Sequence, residues 1–335
     1  MVARRRMPKL PSLLKRKIYK TGQTRGADDD VIYQNRVLRS STVLIPYSLR
    51  EDAWRPPPGE DEFENGYTVL ISPRIYFETP DVGSRLAERG LQIGGNALVF
   101  YRQRSEWEEY NPDDLGWSPA SERSAPLGGE YVARIAATTA FDGGDRINRG
   151  YTTTRNKGAG IRLYEYASGQ TIDKCRSQLE ALYWLCRDAQ EVVVKHGMNR
   201  EAVEARRGQC LEACRENGLL DRGRLREGRV INDAGVTVCP LCLKELSGAG
   251  FLSRLEQAEG RHVHDLTVTK VNLFHVSELR YGEYNHRPYN LGWGHHHCNV
   301  VVRDAGIADT LEWMDEVLAR NGEAGHFSAR EKSAS

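Results

Sequence analysis

Four residues constrain this chain more than any others: Cys239 and Cys242, then His295 and Cys298. Each pair is separated by two residues, so both side chains of a pair can turn toward one point. Tetrahedral Zn²⁺ takes four nitrogen or sulfur ligands, commonly as two such pairs, and can hold a small fold together. A lone C-x-x-C is equally consistent with a redox pair or two buried thiols. The second pair, at the same spacing, argues for one structural zinc held by a Cys3His set. Of the run His295-His296-His297, His295 alone repeats the spacing. The other two are open to solvation or to contact with phosphate.

Three more residues sit in a fixed relation to this set. The stretch from Leu266 to Phe274 alternates apolar and polar residues and reads as a strand, with His275 at its end. An isolated His in such a place is usually a buried, hydrogen-bonded side chain. Neutral imidazole can also take a proton from water near neutral pH. Asn290 is followed at five and eight residues by His295 and Cys298, and Asn299 comes next.

That register resembles the zinc-bearing members of the HNH, or ββα-metal, nuclease family. The resemblance implies that His275 is a general base and that Asn290 braces the loop between two strands, orienting His275. It implies that Asn299, at the start of a short helix, holds a catalytic divalent ion, Mg²⁺ or similar. Many members carry a carboxylate just before the base; here that position is Phe274. Asn299 and DNA would then hold the ion, with Glu278 or His297 as further donors. Two stretches, Lys17 to Ala27 and Glu278 to His295, look more narrowly like the BstXI-type Type II restriction endonucleases. The implied activity is cleavage of both strands of duplex DNA at an interrupted palindrome. Two sites are then needed, hence a homodimer or a higher even oligomer. A cognate DNA methyltransferase in the same bacterial host is implied as well.

A chain of 335 residues is long enough for more than one domain, and 39% hydrophobic with 28% charged residues fits a soluble protein. The net charge of +1 does not announce nucleic acid, but its distribution does. Residues 1–25 hold nine Lys and Arg and no acid, whereas residues 51–64 hold six acids. The other thiols, Cys175, Cys186, Cys210 and Cys214, fall in helical patterns and read as small apolar side chains, which suits a reducing cytoplasm. No apolar signal region and no stretch of membrane-spanning length is evident, so a cytoplasmic location without a membrane partner is expected.

The expected fold class is α+β. Residues 1–30 read as a basic arm that lies along DNA or is a solvated terminus; its candidate contacts are Arg4, Arg5, Arg6, Lys17, Lys20 and Arg25. Residues 31–170 read as a β-rich DNA-recognition domain, a twisted sheet or open barrel. Within it Arg149, Arg155, Asn156 and Lys157 are either a base-reading patch or ordinary polar turns. Residues 171–220 read as a helical hairpin connector, with Thr171 capping a long first helix that ends at Gly197 and a second from about Asn199 to Asn217. Residues 238–325 form the zinc-bound nuclease module, closed by a helix beginning at Ile307. Competing functions are a zinc-stabilised DNA-binding protein that does not cut, and a homing or nicking nuclease. A binder has no use for His275 and Asn299.

Overall fold

The computed structural model describes residues 7–19, 23–25, 36–49, 54–135, 147, 149–151, 160–253, 269–303 and 305–323. The chain divides into two units, one of residues 22–172 with 280–284, the other of residues 1–21, 173–279 and 285–335.

The chain opens with helix α1 (Ser12–Tyr19), which belongs to the second unit. The first unit begins with an antiparallel pair, β1 (Gln23–Arg25) and β2 (Arg36–Leu38). A parallel sheet follows, made of β3 (Val43–Pro46), β4 (Tyr67–Ile71), β5 (Ala97–Tyr101), β6 (Tyr131–Ala133) and β7 (Ile161–Arg162), in the order β6-β5-β4-β3-β7. Helices α2 (Pro73–Glu78) and α3 (Val82–Glu88) connect β4 to β5, and α4 (Arg104–Glu109) lies between β5 and β6. Ser72 Oγ accepts from the Ile75 amide to start α2, with Pro73 in the first turn. The expectation of a β-rich sheet or barrel is therefore corrected to a parallel α/β sheet. Its strands are apolar on both faces: Val43, Ile45, Val69, Ile71 and Ile161 pack in one cluster, Leu44, Leu70, Leu98, Phe100 and Val132 in another. Such continuous apolar runs mark parallel strands buried on both sides.

The second unit contains α5 (Gly169–Trp184) from Asp173 onward, α6 (Ala189–Lys195), α7 (Arg200–Glu216), α8 (Arg222–Glu227), the hairpin β8 (Val271–His275) and β9 (Leu291–His295), α9 (His296–Val302) and α10 (Ile307–Glu323). The single long helix expected from residue 171 is two helices. Ser168, not Thr171, caps α5, its hydroxyl accepting from the Thr171 amide at 3.5 Å. The break after Trp184 has tertiary causes. Thr237 Oγ1 donates to the Leu182 carbonyl at 2.5 Å. Asp188 accepts from Ser247 Oγ at 2.5 Å and from the Gly248 amide at 2.7 Å. Helix α7 follows expectation, with Asn199 accepting from the Ala202 amide at 2.7 Å and Gly218 left-handed beyond its end.

These helices and the segment carrying Cys239, Cys242, His295 and Cys298, expected as separate domains, share one core. Cys175, Leu179, Trp184, Cys210 and Cys214 lie in the same cluster as Cys239, Phe274, Trp293 and Cys298. Trp293 Nε1 donates to the Leu179 carbonyl at 2.8 Å, fixing β9 to α5. Residues 12–19 are not an extended arm, because Leu14 and Ile18 on one side of α1 are fully buried in this core. A buried ion pair, Arg206 to Glu180 at 2.7 Å, joins α7 to α5, and Arg206 also donates to the Pro8 carbonyl at 2.7 Å. Helix α10 buries Ile307 and Thr310 in its first turn, while Leu311, Trp313 and Leu318 are exposed. It is thus anchored at its start rather than laid over the module. Among the described residues no helix is long and apolar enough to cross a membrane.

Candidate active site and metal centre

The β8–β9 hairpin and α9 carry the site. Val271 pairs with His295 and His275 with Leu291, so the two histidines stand at opposite ends of the hairpin. Close packing explains the glycines of Leu291-Gly-Trp-Gly-His295. A Cβ at Gly294 would lie 2.4 Å from Phe274 Cδ2, and one at Gly292 would lie 2.5 Å from Val230 Cγ1. Helix α9 starts where β9 ends and packs against β8.

Cys239, Cys242, His295 and Cys298 come together, with their ligand atoms all within 4.8 Å of one another. Cys239 and Cys242 sit on a tight turn: the Leu243 amide donates to the Cys239 carbonyl at 2.8 Å, and Leu243 is left-handed at φ 58°. The turn is closed by the Cys239 amide donating to the Lys244 carbonyl at 2.9 Å. His295 Nδ1 is 3.3 Å from Cys242 Sγ, and the His295 amide donates to Cys239 Sγ at 3.4 Å. A zinc tetrahedron with Zn–S near 2.3 Å has edges of about 3.8 Å, which this donor set can meet with small adjustments. Burial, then His297 and Lys244, hold the His295 imidazole below its ordinary range, which favours the neutral form that a metal ion takes. Burial, then Cys239, push the Cys298 thiol well up. Thiols crowded this way resist ionising together, and a divalent cation among them reverses that preference. The set therefore fits a metal ion.

The neighbouring histidines are engaged elsewhere. His296 Nδ1 is 2.9 Å from Asn272 Nδ2, and the His297 ring stacks on His295 with centroids 5.4 Å apart.

At the other end of the hairpin, Asn290 is buried and ties down the turn after β8. Its Oδ1 accepts from the Ser277 amide at 2.7 Å; its Nδ2 donates to the carbonyls of Asn285 at 2.7 Å and Ser277 at 3.2 Å. His275 is half-buried, and its Nε2 is 3.2 Å from Nδ1 of His286. His286 stands in the conspicuous Asn285-His286 step between the strands but carried no role in the sequence reading. Asn299 is half-buried on α9. Phe274 is fully buried in the core and is no metal ligand. Glu278 lies on the turn after β8, its backbone against Gly306. Among the described residues, the Cys3His set is the one group of three or more His, Cys, Asp or Glu drawn together as a metal site. A catalytic ion would have Asn299 as its candidate protein ligand, and Mg²⁺ commonly completes its shell with water and substrate oxygens.

The residues expected to meet DNA are placed only in part. Lys17 Nζ donates to Thr269 Oγ1 and Asn272 Oδ1, each at 2.5 Å, so this ammonium is held inside its own unit instead of lying along a terminal arm. Arg149 is paired with Asp113 and lies 4.8 Å over the Trp107 ring; Asp113, then Tyr131, hold its guanidinium further above its ordinary range. Reading a base would require breaking that pair. Arg25 has its backbone in β1, while its side chain lies outside the described residues, as do Arg4, Arg5, Arg6, Lys20, Arg155, Asn156 and Lys157.

Comparison with known proteins gives one family. The model of the BstXI restriction endonuclease family matches residues 16–296. Among solved structures the chain is similar to a type II restriction endonuclease, at 15% identity and a TM-score of 0.26. That match covers 47% of this chain and 57% of the other, and it is too slight to bear on the fold. No curated protein matches the chain. With the family model spanning most of its length, the chain belongs to the BstXI restriction endonuclease family.

Proposed function

We propose that the chain is a Type II restriction endonuclease. It makes site-specific double-strand cuts in DNA by metal-dependent phosphodiester hydrolysis, with β8, β9 and α9 as an HNH, or ββα-metal, module. One observation carries this reading: in a chain of this family, a hairpin followed directly by a helix has His275 at a strand end, Asn290 bracing the turn beside it and Asn299 on the helix.

His275 accepts a proton from the attacking water, the role that a neutral imidazole fills in general-base catalysis. Asn290 holds the turn after β8 and so fixes the end of the strand that bears His275. The Asn299 amide oxygen offers a ligand to Mg²⁺ or a similar ion. Such an ion, when bound, neutralises charge on the phosphate and the leaving oxygen. Cys239, Cys242, His295 and Cys298 would hold Zn²⁺ as a structural ion that locks β9 and α9 to the turn at residues 239–244. One site cuts one strand, so a homodimer on an interrupted palindrome makes the double-strand break. The terminal Arg4, Arg5, Arg6 and Lys20, with Arg25, supply backbone contacts, and Arg149, Arg155, Asn156 and Lys157 read bases. The reading places the enzyme in a bacterial cytoplasm beside a methyltransferase that protects the host's own sites.

The test is digestion of a mixed plasmid set by purified protein in Mg²⁺, with and without EDTA, followed by sequencing of the ends. Discrete, EDTA-sensitive fragments sharing one sequence at their ends support the proposal. Specific DNA retention with intact plasmid in Mg²⁺ or Mn²⁺ refutes it in favour of a non-cutting binder.

A further inference from the structure

The loop between β8 and β9 holds a second imidazole that no step above employs. His286 is 1% exposed, with its Nδ1 3.2 Å from His275 Nε2 and the two ring planes inclined by 51°. Its backbone is fixed by its neighbours. Asn285 Nδ2 donates to the Glu278 carbonyl at 2.6 Å, and the Asn285 carbonyl accepts from Asn290 Nδ2 at 2.7 Å and from the Arg287 amide at 2.9 Å. The same Asn290 side chain therefore grips the turn after His275 and the residue before His286.

Two neutral imidazole nitrogens at this separation share one hydrogen, so one ring donates and the other accepts. If His286 donated, the proton of His275 would sit on its Nδ1, leaving that ring no lone pair for water. If His275 donates from Nε2, its Nδ1 keeps a lone pair. The second arrangement alone lets His275 act as a base.

We propose that His286 is a positioning residue for His275. Its Nδ1 accepts the His275 Nε2–H bond and fixes both the ring's orientation and its tautomer. This rests on the reading of His275 as general base. In the step, an O–H bond of water breaks and its proton passes to His275 Nδ1. The freed oxygen pair forms the bond to phosphorus, and the P–O bond to the departing sugar oxygen breaks, with its electrons leaving on that oxygen. The imidazolium so formed keeps its Nε2–H on His286, whose lone pair steadies the new charge.

The experiment compares His286→Leu, His286→Asn and His275→Ala with the wild type on a plasmid that the wild type cuts, under single turnover, alongside DNA affinity, zinc content and melting temperature. An Asn amide oxygen takes the place of Nδ1 and can accept the same hydrogen bond. His286→Leu is expected to cut about 10–100-fold more slowly at unchanged DNA affinity, the usual effect of removing a group that orients a working side chain. His286→Asn is expected to stay within a few-fold of wild type. Nitrogen NMR of the unliganded protein is expected to show His275 protonated on Nε2, a readout independent of cleavage. Full activity in His286→Leu, equal impairment of the two variants, a rise in Mg²⁺ requirement in both, or a His275 proton on Nδ1 would overturn the proposal. Full activity in His275→Ala would instead overturn the general-base reading itself. If His286→Leu fails to fold, His286→Asn is set against His286→Gln, whose amide reaches past the Nδ1 position. Equal rates there overturn the proposal, and a slower Gln variant supports it.

Discussion

Gly294→Ala tests how closely the hairpin backbone and the Phe274 ring are packed. The added methyl would stand 2.4 Å from Phe274 Cδ2, 3.1 Å from Cγ and 3.2 Å from Cε2. Carbon atoms rest at about 3.5–4.0 Å, so the contact must open by roughly 1 Å or more. Phe274 is fully buried, so its ring has no route to solvent. Overpacking of this kind costs ~1–3 kcal/mol. For a unit of 150–250 residues each kcal/mol lowers Tm by ~2–4 °C, which calorimetry resolves easily. Phe274 also precedes His275, and a 1 Å misplacement of a reacting group can cost ~10²-fold in rate. Cleavage should therefore fall by more than the loss of stability explains. Phe274→Ala alone should cost ~3–5 kcal/mol through its cavity. In the double variant the clash vanishes, so Gly294→Ala should add nothing further. Strict additivity of the two changes, or a Gly294→Ala melting point equal to wild type, would refute the packing argument.

Three further outcomes follow from the same structure. Stripping metal with a strong chelator should abolish hydrogen-exchange protection in residues 239–246, β8, β9 and α9 while α5 and α7 keep theirs, and Zn²⁺ but not Mg²⁺ should restore it; unchanged protection would mean that the Cys3His set has no structural ion. Arg206→Leu should lower stability by ~3–5 kcal/mol in denaturant titration by leaving Glu180 buried and unpaired, while Arg206→Leu with Glu180→Leu should recover most of that loss; equal effects would contradict a buried pair. For Asp188, burial opposes ionisation, but bonds from Ser247 and Gly248 outweigh it and hold its carboxyl below the usual 3.8. A depressed folded pKa gives stability that is present above the unfolded pKa and lost as pH falls through the folded one. The stability gap between wild type and Asp188→Asn should therefore be constant above about pH 4 and shrink below it.

What could be read in the sequence was local. The C-x-x-C turn and the His295 to Cys298 step are set by short-range geometry, so their spacing was enough to show two like pairs, while the shared core around Phe274 and Trp293 is what brings the pairs together. The strand ending at His275 was readable from its local alternation, whereas the helix after His295 was expected only through the family resemblance. The parallel sheet was not. Its connecting helices α2, α3 and α4 have only six or seven residues, too short for an amphipathic period, so strands dominated the pattern. The division of α5 from α6 was hidden because Thr237, Ser247 and Gly248, about fifty or more residues onward, impose it. His286 was passed over because its one distinction is nearness to His275, and nearness across a loop leaves no periodic mark.

The most direct measurement is the single-turnover rate of plasmid cleavage by His275→Ala and Asn299→Ala in Mg²⁺, read beside DNA affinity and zinc content. The account predicts that each variant binds the same DNA and the same zinc as wild type, with cleavage slowed ~10²–10⁴-fold for His275→Ala. Cleavage by both at the wild-type rate would contradict it.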